Sequence, residues 1–196
     1  MTLGRNKEFD TIEVLHKAME VFGHYGYEGT SLPQLLKGLG IARQSLYDTY
    51  GTKRDLFILA LKHYVNEKSG AAMKYLATSE SAKQGIAYVF HEVAKTLKDK
   101  DRQKECFIIF SAIDQMAHDK EIREFLSKDL NRMEEAFYET LVRGQENGEI
   151  PSDRDLRALA RYLNFARHSL TQLAKMTSDP KVMDDFVAVS LSALDK

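Results

Sequence analysis

The sequence has little of what secreted, membrane-spanning or β-rich proteins require. Among its 196 residues are one cysteine, Cys106, which cannot form an internal disulfide, three prolines and no tryptophan. The longest apolar run, CFIIF, is far shorter than the ~20 residues of a membrane-spanning helix. The opening MTLGRNKEFD has no apolar stretch of the kind that a secretory signal needs. We therefore expect a cytoplasmic protein with no membrane partner.

Charge of one sign is also lacking. The net charge is -1, and residues 1–56 contain seven Lys or Arg against seven Asp or Glu. The composition therefore does not mark a nucleic-acid-binding protein, and any contact with DNA must depend on where individual side chains lie. Abundant Ala, Leu, Lys, Glu and Arg favour helices. We predict an all-α fold of about nine helices.

Glycine turns divide the first part of the chain into short helices. Apolar residues at helical spacing from Phe9 to Phe22 predict the first helix. Ser31 followed by Gln34 is a capping-box pattern, which predicts a second helix running to about Leu39. The segment TSLPQ is thus a helix start, and TKRDLF repeats the same kind of start signal for a long fourth helix.

A short polar segment, Ala42–Tyr50, lies between Gly40 and Gly51. It has only Leu46 and two tyrosines to bury, and a helix of this length is marginal on its own. Neighbouring helices must hold it in place. Its polar face is then available for another use.

The remainder predicts longer helices that together form a larger C-terminal helical bundle. We expect helices over about Ala82–Leu97 and Lys120–Gln145, a further helix capped by Asp153, and a last one after TSDP. The predicted domains are residues 1–55 and residues 56–196.

The short helices with a tight turn between the second and third have the arrangement of a helix-turn-helix unit. A pattern of spaced residues runs through them: Phe22, Gly26, Tyr27, Thr30 and Ser31, then Gly40, Ile41, Leu46, Tyr47, Tyr50, Lys53 and Leu56. This pattern resembles the DNA-binding domain of TetR-family transcriptional regulators over residues 9–60. The resemblance implies an N-terminal three-helix DNA-binding domain followed by a domain that dimerises and binds a regulatory ligand.

The resemblance also implies which side chains meet DNA. Tyr47 and Lys53 would contact phosphates, and Thr30 or Ser31 would contact the backbone at the start of the second helix. The side chains facing base edges would be Arg43, Gln44, Ser45 and Thr49. Arginine suits guanine and glutamine suits adenine in direct readout. Asp48 would either accept from a cytosine amino group, hold Arg43, or hold a turn amide.

Ligand and dimer residues are less specified, although helical bundles bind apolar ligands between their helices. The candidate ligand-binding residues are Cys106, Phe107, Phe110, Met116, Phe165 and His168. The candidate dimer residues, which form apolar stripes near the chain's end, are Leu156, Leu163, Leu170, Val189 and Leu194. Two alternatives stay open: the stripes pack on the protomer's own helices, and Cys106 is a small core residue.

These patterns predict a ligand-responsive repressor that binds a palindromic operator in double-stranded DNA as a homodimer. A small-molecule effector in the C-terminal domain would release the DNA. The competing interpretations are a helical adaptor with no DNA role and an all-helical enzyme. The sequence has no pairing of a nucleophile with a general base and no GxxxxGK or GxSxG string, so we expect neither enzymatic activity nor a cofactor. Because no histidines or cysteines occur at zinc-like spacing, we expect no metal site either.

Overall fold

The computed structural model describes residues 10–195, and that range contains helices and no β-strand. The helices are α1 Thr11–Tyr25, α2 Leu32–Leu39, α3 Arg43–Tyr50, α4 Lys53–Thr78, α5 Ala82–Lys98, α6 Gln103–Cys106, α7 Ile108–Gln115, α8 Lys120–Glu146, α9 Leu156–Met176 and α10 Pro180–Ser192. Since α6 is a single turn, nine longer helices remain in the described range. The all-α prediction is confirmed. Phe9, which begins the predicted pattern of the first helix, lies outside the described residues.

The described residues form two compact units. The first unit comprises residues up to Tyr64 together with Lys104–His118, and the second comprises Val65–Gln103 together with residues from Asp119 onward. The first unit thus contains α1, α2, α3 and α7, whereas the second contains α5, α8, α9 and α10. The sequence-based boundary between residues 55 and 56 stays a prediction about where the DNA-binding domain ends and the ligand-binding and dimerisation domain begins.

The core of the first unit is built around α1, which packs against α2 and α7. Phe22 of α1 and Phe57 of α4 are fully buried, and their rings meet edge to face with centroids 5.0 Å apart. Ser111 of α7 donates a hydrogen bond to the Phe22 carbonyl oxygen over 2.7 Å. This core holds the short helices α2 and α3, whose residues Leu35 and Leu46 are also fully buried.

The second unit is a bundle in which α8 packs on α9, and α5 packs on α8, α9 and α10. Phe90, Phe137 and Leu163 are fully buried within it. Glu149, between α8 and α9, accepts hydrogen bonds from the Ser81 hydroxyl over 2.6 Å and from backbone amides at the start of α5. That contact satisfies amide groups that the first helical turn leaves without intrahelical partners.

The helix starts follow the predicted capping patterns with one correction. Ser31 and Gln34 form the predicted capping box of α2. The prediction that Asp153 caps α9 is wrong, because Asp155 accepts from the Ala158 amide over 3.0 Å instead. The helix begins where the buried stripe begins, at Leu156, and the aspartate directly before that residue is the one in capping position. None of the described helices is long and apolar enough to cross a membrane.

Candidate nucleic-acid interface

The short helix α3 is held from one side only. Leu46 has no exposed surface, and Tyr50 is buried with its hydroxyl donating to the Thr11 carbonyl oxygen over 3.1 Å. Gly40 before the helix has φ +67° and Gly51 after it has φ +82°, a region that favours glycine. These two turns and two buried side chains hold in place a helix that is too short to be stable alone.

The opposite face of α3 is open to solvent. Arg43, Gln44 and Tyr47 are exposed, whereas Ser45 and Thr49 are half-buried. The Arg43 guanidinium lies 5.7 Å from the centre of the Tyr47 ring, within cation–π range. A flat aromatic side chain and a planar cation are therefore presented together on this face. We refer to Arg43, Gln44, Tyr47 and Asp48 as the open face of α3.

Asp48 has a partner that the sequence analysis did not assign. The Gln44 Nε2 donates a hydrogen bond to Asp48 Oδ1 over 2.7 Å, one turn along the same helix. The prediction that Asp48 holds Arg43 or a turn amide is therefore wrong. A carboxylate only accepts hydrogen bonds, so the pairing fixes which end of the Gln44 amide faces Asp48. The amide oxygen and the second N–H of Gln44 stay available, which is the donor and acceptor pair that adenine N7 and N6 require.

The start of α2 uses its hydroxyl groups internally. Thr30 is buried, and its hydroxyl donates to the Gly26 carbonyl oxygen over 2.5 Å. Ser31 is exposed, but its hydroxyl donates to Gln34 Oε1 over 2.6 Å as part of the capping box. Both hydroxyl protons thus have protein acceptors. The implied backbone contact by Thr30 or Ser31 stays a prediction, and it would require a rearrangement of those bonds or use of backbone amides.

The start of α4 places a cation beside an aromatic ring. The Lys53 ammonium lies 4.4 Å from the centre of the Tyr27 ring. Partial burial lowers the pKa of Lys53, while the nearby Glu28 carboxylate raises it. Lys53 is thereby held at the N-terminus of α4, where backbone amides and the helix dipole favour anions.

A capping box fixes the position of that helix terminus. The Thr52 amide and hydroxyl both donate to Asp55 Oδ2, over 2.8 and 2.7 Å, and the Asp55 amide donates to the Thr52 hydroxyl oxygen over 3.2 Å. These hydrogen bonds from Thr52 lower the pKa of Asp55 and keep it ionised. A Cβ at Gly51 would lie 2.6 Å from Asp55 Oδ2, so the glycine also leaves room for the cap.

The candidate ligand-binding residues fall in both compact units. Within the first unit Cys106 is buried, and the three residues Phe107, Phe110 and Met116 are half-buried. Within the second unit Phe165 is 57% exposed, whereas His168 is half-buried. Their joint role in one ligand site stays a prediction.

Around His168 the second unit buries polar groups that the sequence analysis did not single out. Asn164 has no exposed surface, and its Oδ1 has no hydrogen-bond partner among the described residues. Asp129 is also buried and accepts from the Ser69 hydroxyl over 2.8 Å, and burial raises the pKa of its carboxyl group. Burial, and then the neighbouring Arg167 charge, lower the pKa of His168 from 6.5 to about 3.

The candidate dimer residues are mostly in the protomer's own core. Leu156, Leu163, Leu170 and Leu194 are buried, and only Val189 is exposed, at 67%. A side chain without accessible surface in the protomer has none left to bury against a second copy. The large apolar residues of α9 and α10 that are exposed are others: Tyr162, Phe165, Met176, Val182 and Val189. We refer to these five residues as the exposed apolar face of α9 and α10.

Comparisons with known proteins agree with this geometry. The profile of the family described as bacterial regulatory proteins, tetR family, matches residues 14–60, and the profile described as tetracyclin repressor-like, C-terminal domain, matches residues 82–189. An uncharacterized HTH-type transcriptional regulator, YezE of Bacillus subtilis (strain 168), is 54% identical over 98% of this chain and 100% of its own. The HTH-type transcriptional repressor ComR of Escherichia coli (strain K12) is 31% identical over 82% of this chain and 77% of its own.

Solved structures give the same result. A cysteine-substituted form of the TetR family transcriptional regulator CifR, complexed with 26-bp double-strand operator DNA, matches with a TM-score of 0.82 and 28% identity, over 96% of this chain and 99% of that one. A TetR transcriptional regulator from Chloroflexus aurantiacus J-10-FL has the same fold, with a TM-score of 0.80 over 94% of this chain and 93% of that one. The chain therefore belongs to the TetR family of DNA-binding bacterial transcriptional regulators.

Proposed function

We propose that the protein is a ligand-responsive repressor that binds a palindromic operator as a homodimer and releases it when a small molecule binds. The observation that carries the proposal is the open face of α3, which presents Arg43, Gln44 and Tyr47 to solvent from a helix pinned by Leu46 and Tyr50. A recognition helix reads base edges in the major groove in this way. The repressor names of several relatives and the operator complex of CifR support the same function.

The placement of charge supports DNA binding even though the overall charge does not. Arg43 lies on the open face, and Lys53 lies at the N-terminus of α4 where a phosphate would be favoured. Phosphate contacts fix the register of a protein on DNA, and base contacts give it sequence preference. Arg43 and Gln44 would supply the second kind of contact, and Tyr47 and Lys53 the first.

The homodimer is proposed from the exposed apolar face of α9 and α10. Tyr162, Phe165 and Met176 recur at helical spacing on α9, and Val182 and Val189 do so on α10, which packs on α9. Five large apolar side chains on neighbouring helices form the kind of exposed surface that protein interfaces cover. A second copy is the occupant that a twofold operator requires, because each protomer reads one half-site.

The effector response is proposed from the buried polar groups of the second unit. A buried amide oxygen without a hydrogen-bond partner, at Asn164, and a buried carboxylate, at Asp129, cost free energy unless hydrogen bonds replace those that water would make. A ligand with hydrogen-bond donors would satisfy both. The effector is therefore expected to carry polar groups as well as the apolar surface that the predicted aromatic lining favours.

Selection of random duplexes with the purified full-length protein tests the proposed function. We expect enrichment of an inverted pair of half-sites whose centres lie about one helical turn or a multiple of it apart. Enrichment of no symmetric sequence at physiological salt would contradict operator binding. For the effector, compounds that raise the melting temperature should also change the affinity for the enriched duplex, because both follow from one differential binding free energy. Stabilising compounds that leave DNA affinity unchanged would contradict the proposed release mechanism.

The cytoplasmic location remains a prediction. It is supported by the proposed function, because a repressor must have access to the DNA that carries its operator.

A further inference from the structure

The open face of α3 consists of two pairs of side chains, and the members of each pair are one helical turn apart. The Arg43 guanidinium lies 5.7 Å from the centre of the Tyr47 ring. The Gln44 Nε2 donates to Asp48 Oδ1 over 2.7 Å. Residues four apart are neighbours on a helix surface, so each long side chain of the first turn contacts the residue one turn later. The two side chains that would meet base edges are therefore positioned before DNA is bound.

The pairing with Asp48 determines which hydrogen-bonding groups Gln44 presents to a base. The carboxylate occupies one N–H of the amide, so Oε1 and the second N–H remain. Adenine offers an N6 amino donor and an N7 acceptor in the major groove, and these match that acceptor and donor. Guanine offers two acceptors, O6 and N7, one of which would face the amide oxygen and be repelled by it. A glutamine held in this way selects adenine over guanine.

The pairing with Tyr47 favours a complementary contact by Arg43. A cation–π contact occupies no hydrogen-bond donor, and the ring limits the positions of the side chain before it binds. The planar guanidinium donates two parallel N–H groups, which match the O6 and N7 acceptors of guanine. Arg43 is exposed, so this donor pair can reach a base edge. An arginine held against a ring thus selects guanine at a lower cost in conformational entropy.

We propose that each operator half-site contains a guanine and an adenine on neighbouring base pairs, read at their major-groove edges by Arg43 and Gln44. The adjacency follows from the helix, because consecutive Cα atoms lie about 3.8 Å apart, close to the ~3.4 Å between stacked base pairs. Tyr47 and Asp48 are positioning residues that act through Arg43 and Gln44. The two bases are assigned to the same half-sites that the proposed operator binding requires, on which this inference rests.

Base analogues test the two assigned bases with the full-length protein and the duplex that it selects. Replacement of the guanine by 7-deazaguanine, or of the adenine by 7-deazaadenine, removes the N7 acceptor and keeps Watson–Crick pairing. Each replacement, made in both half-sites, should weaken binding to the wild type about 5- to 100-fold, because one bond of a bidentate contact is lost. The same analogue at a purine outside the half-sites is the control and should leave affinity unchanged.

Double-mutant cycles between protein and DNA assign each base to its side chain. The 7-deazaguanine effect should disappear in Arg43→Ala and persist in Gln44→Ala, whereas the 7-deazaadenine effect should do the reverse. Both residues are exposed, so either substitution leaves the core unchanged. The analogue measurement on the wild type needs no variant and stays decisive if one fails to fold. Equal analogue effects in the wild type and in both folded variants would overturn the assignment.

The positioning residues are tested by base preference rather than by affinity alone. Asp48→Asn keeps the size of the side chain but allows the Gln44 amide to turn over, so guanine should be accepted in place of adenine. Tyr47→Phe keeps the ring and should keep the preference for guanine, whereas Tyr47→Leu should reduce that preference about 2- to 5-fold. Unchanged base preferences in Asp48→Asn and Tyr47→Leu would overturn the positioning roles.

Failure of the assigned bases and failure of operator binding give different results. Symmetric half-sites in which no guanine–cytosine pair adjoins an adenine–thymine pair would overturn the assigned bases and leave operator binding intact. N7 replacements that do not change the affinity of the wild type would do the same. Selection of no symmetric sequence would overturn both proposals.

Discussion

Gln44 and Asp48 are paired on α3, with 2.7 Å between Gln44 Nε2 and Asp48 Oδ1. The pair holds the glutamine amide in one orientation on the face that we propose reads DNA. It also places a negative charge there, which repels phosphates. Asp48 therefore favours selectivity over affinity in this account.

Replacement of Asp48 tests this role. Asp48→Ala should raise affinity for a scrambled duplex by about 2- to 10-fold, because one repulsive charge is removed from the phosphate-facing surface. At the same time it should relax selection at the base pair that Gln44 contacts, because the amide is no longer oriented. Binding curves for the operator and the scrambled duplex at one fixed salt concentration measure both effects. Glu124→Ala, which removes an exposed carboxylate that pairs with Lys120 one turn away on α8, is the control and should change neither value.

Lys53 is expected to contribute to affinity without contributing to sequence preference. Lys53→Ala should weaken binding to all duplexes about equally. It should also reduce the magnitude of the negative slope of log affinity against log salt by about one unit, because one phosphate contact is lost. Lys120→Ala, an exposed lysine paired with Glu124 on α8, changes the charge equally and should leave the slope unchanged. A wild-type slope in folded Lys53→Ala protein would remove Lys53 from the interface.

The local signals of the sequence predicted the helix-turn-helix unit well. The pairs Ser31 with Gln34 and Thr52 with Asp55 are capping patterns whose meaning depends only on neighbours along the chain, and both form as predicted. Gly40 and Gly51 have the positive φ values that turns require. The spacing of Gln44 and Asp48 also allows the pair that forms, although the sequence analysis expected other partners for Asp48.

The sequence could not predict in the same way which face of a helix packs against another helix and which face stays exposed. Leu163 and Phe165 lie two residues apart on α9, and both belong to apolar patterns at helical spacing. Leu163 is nevertheless fully buried, whereas Phe165 is 57% exposed. Periodicity identifies an apolar face but does not say what covers it. The contact of His16 with His63 joins two separate helices, so no spacing along the chain encodes it.

The exposed apolar face of α9 and α10 should control the oligomeric state. Phe165→Glu and Val189→Glu each place a charge at the proposed interface, and we expect monomers with wild-type helical content, measured by sedimentation and circular dichroism. Leu163→Ala is the contrasting variant. It should lower the free energy of unfolding by about 2–5 kcal/mol, because it opens a cavity in the core. Dimers that persist in both glutamate variants would contradict this interface.

His168 should make stability depend on pH. Its folded pKa of about 3 lies below its ordinary value of 6.5, so the unfolded chain binds more protons between those values. The resulting stability is fully present above pH 6.5 and declines as the pH falls toward 3, with a slope of at most about 1.4 kcal/mol per pH unit. Urea unfolding at pH 7.5, 5.5 and 4.5 measures the decline. His168→Gln should show a smaller decline over that range, and an identical decline would assign the effect to other groups.

The measurement that tests the central claim most directly is the selection profile of the wild type beside those of Arg43→Ala and Gln44→Ala, all at one salt concentration. Loss of a bidentate base contact costs about 1–3 kcal/mol at one base pair. Each variant should therefore relax selection at one symmetric pair of positions and keep its non-specific binding. On a merely solvated helix face the same changes would alter stability by no more than about 0.5 kcal/mol and leave the profile unchanged. If the wild type selects no pair of half-sites, or if both variants return its profile unchanged, α3 does not read DNA as we propose.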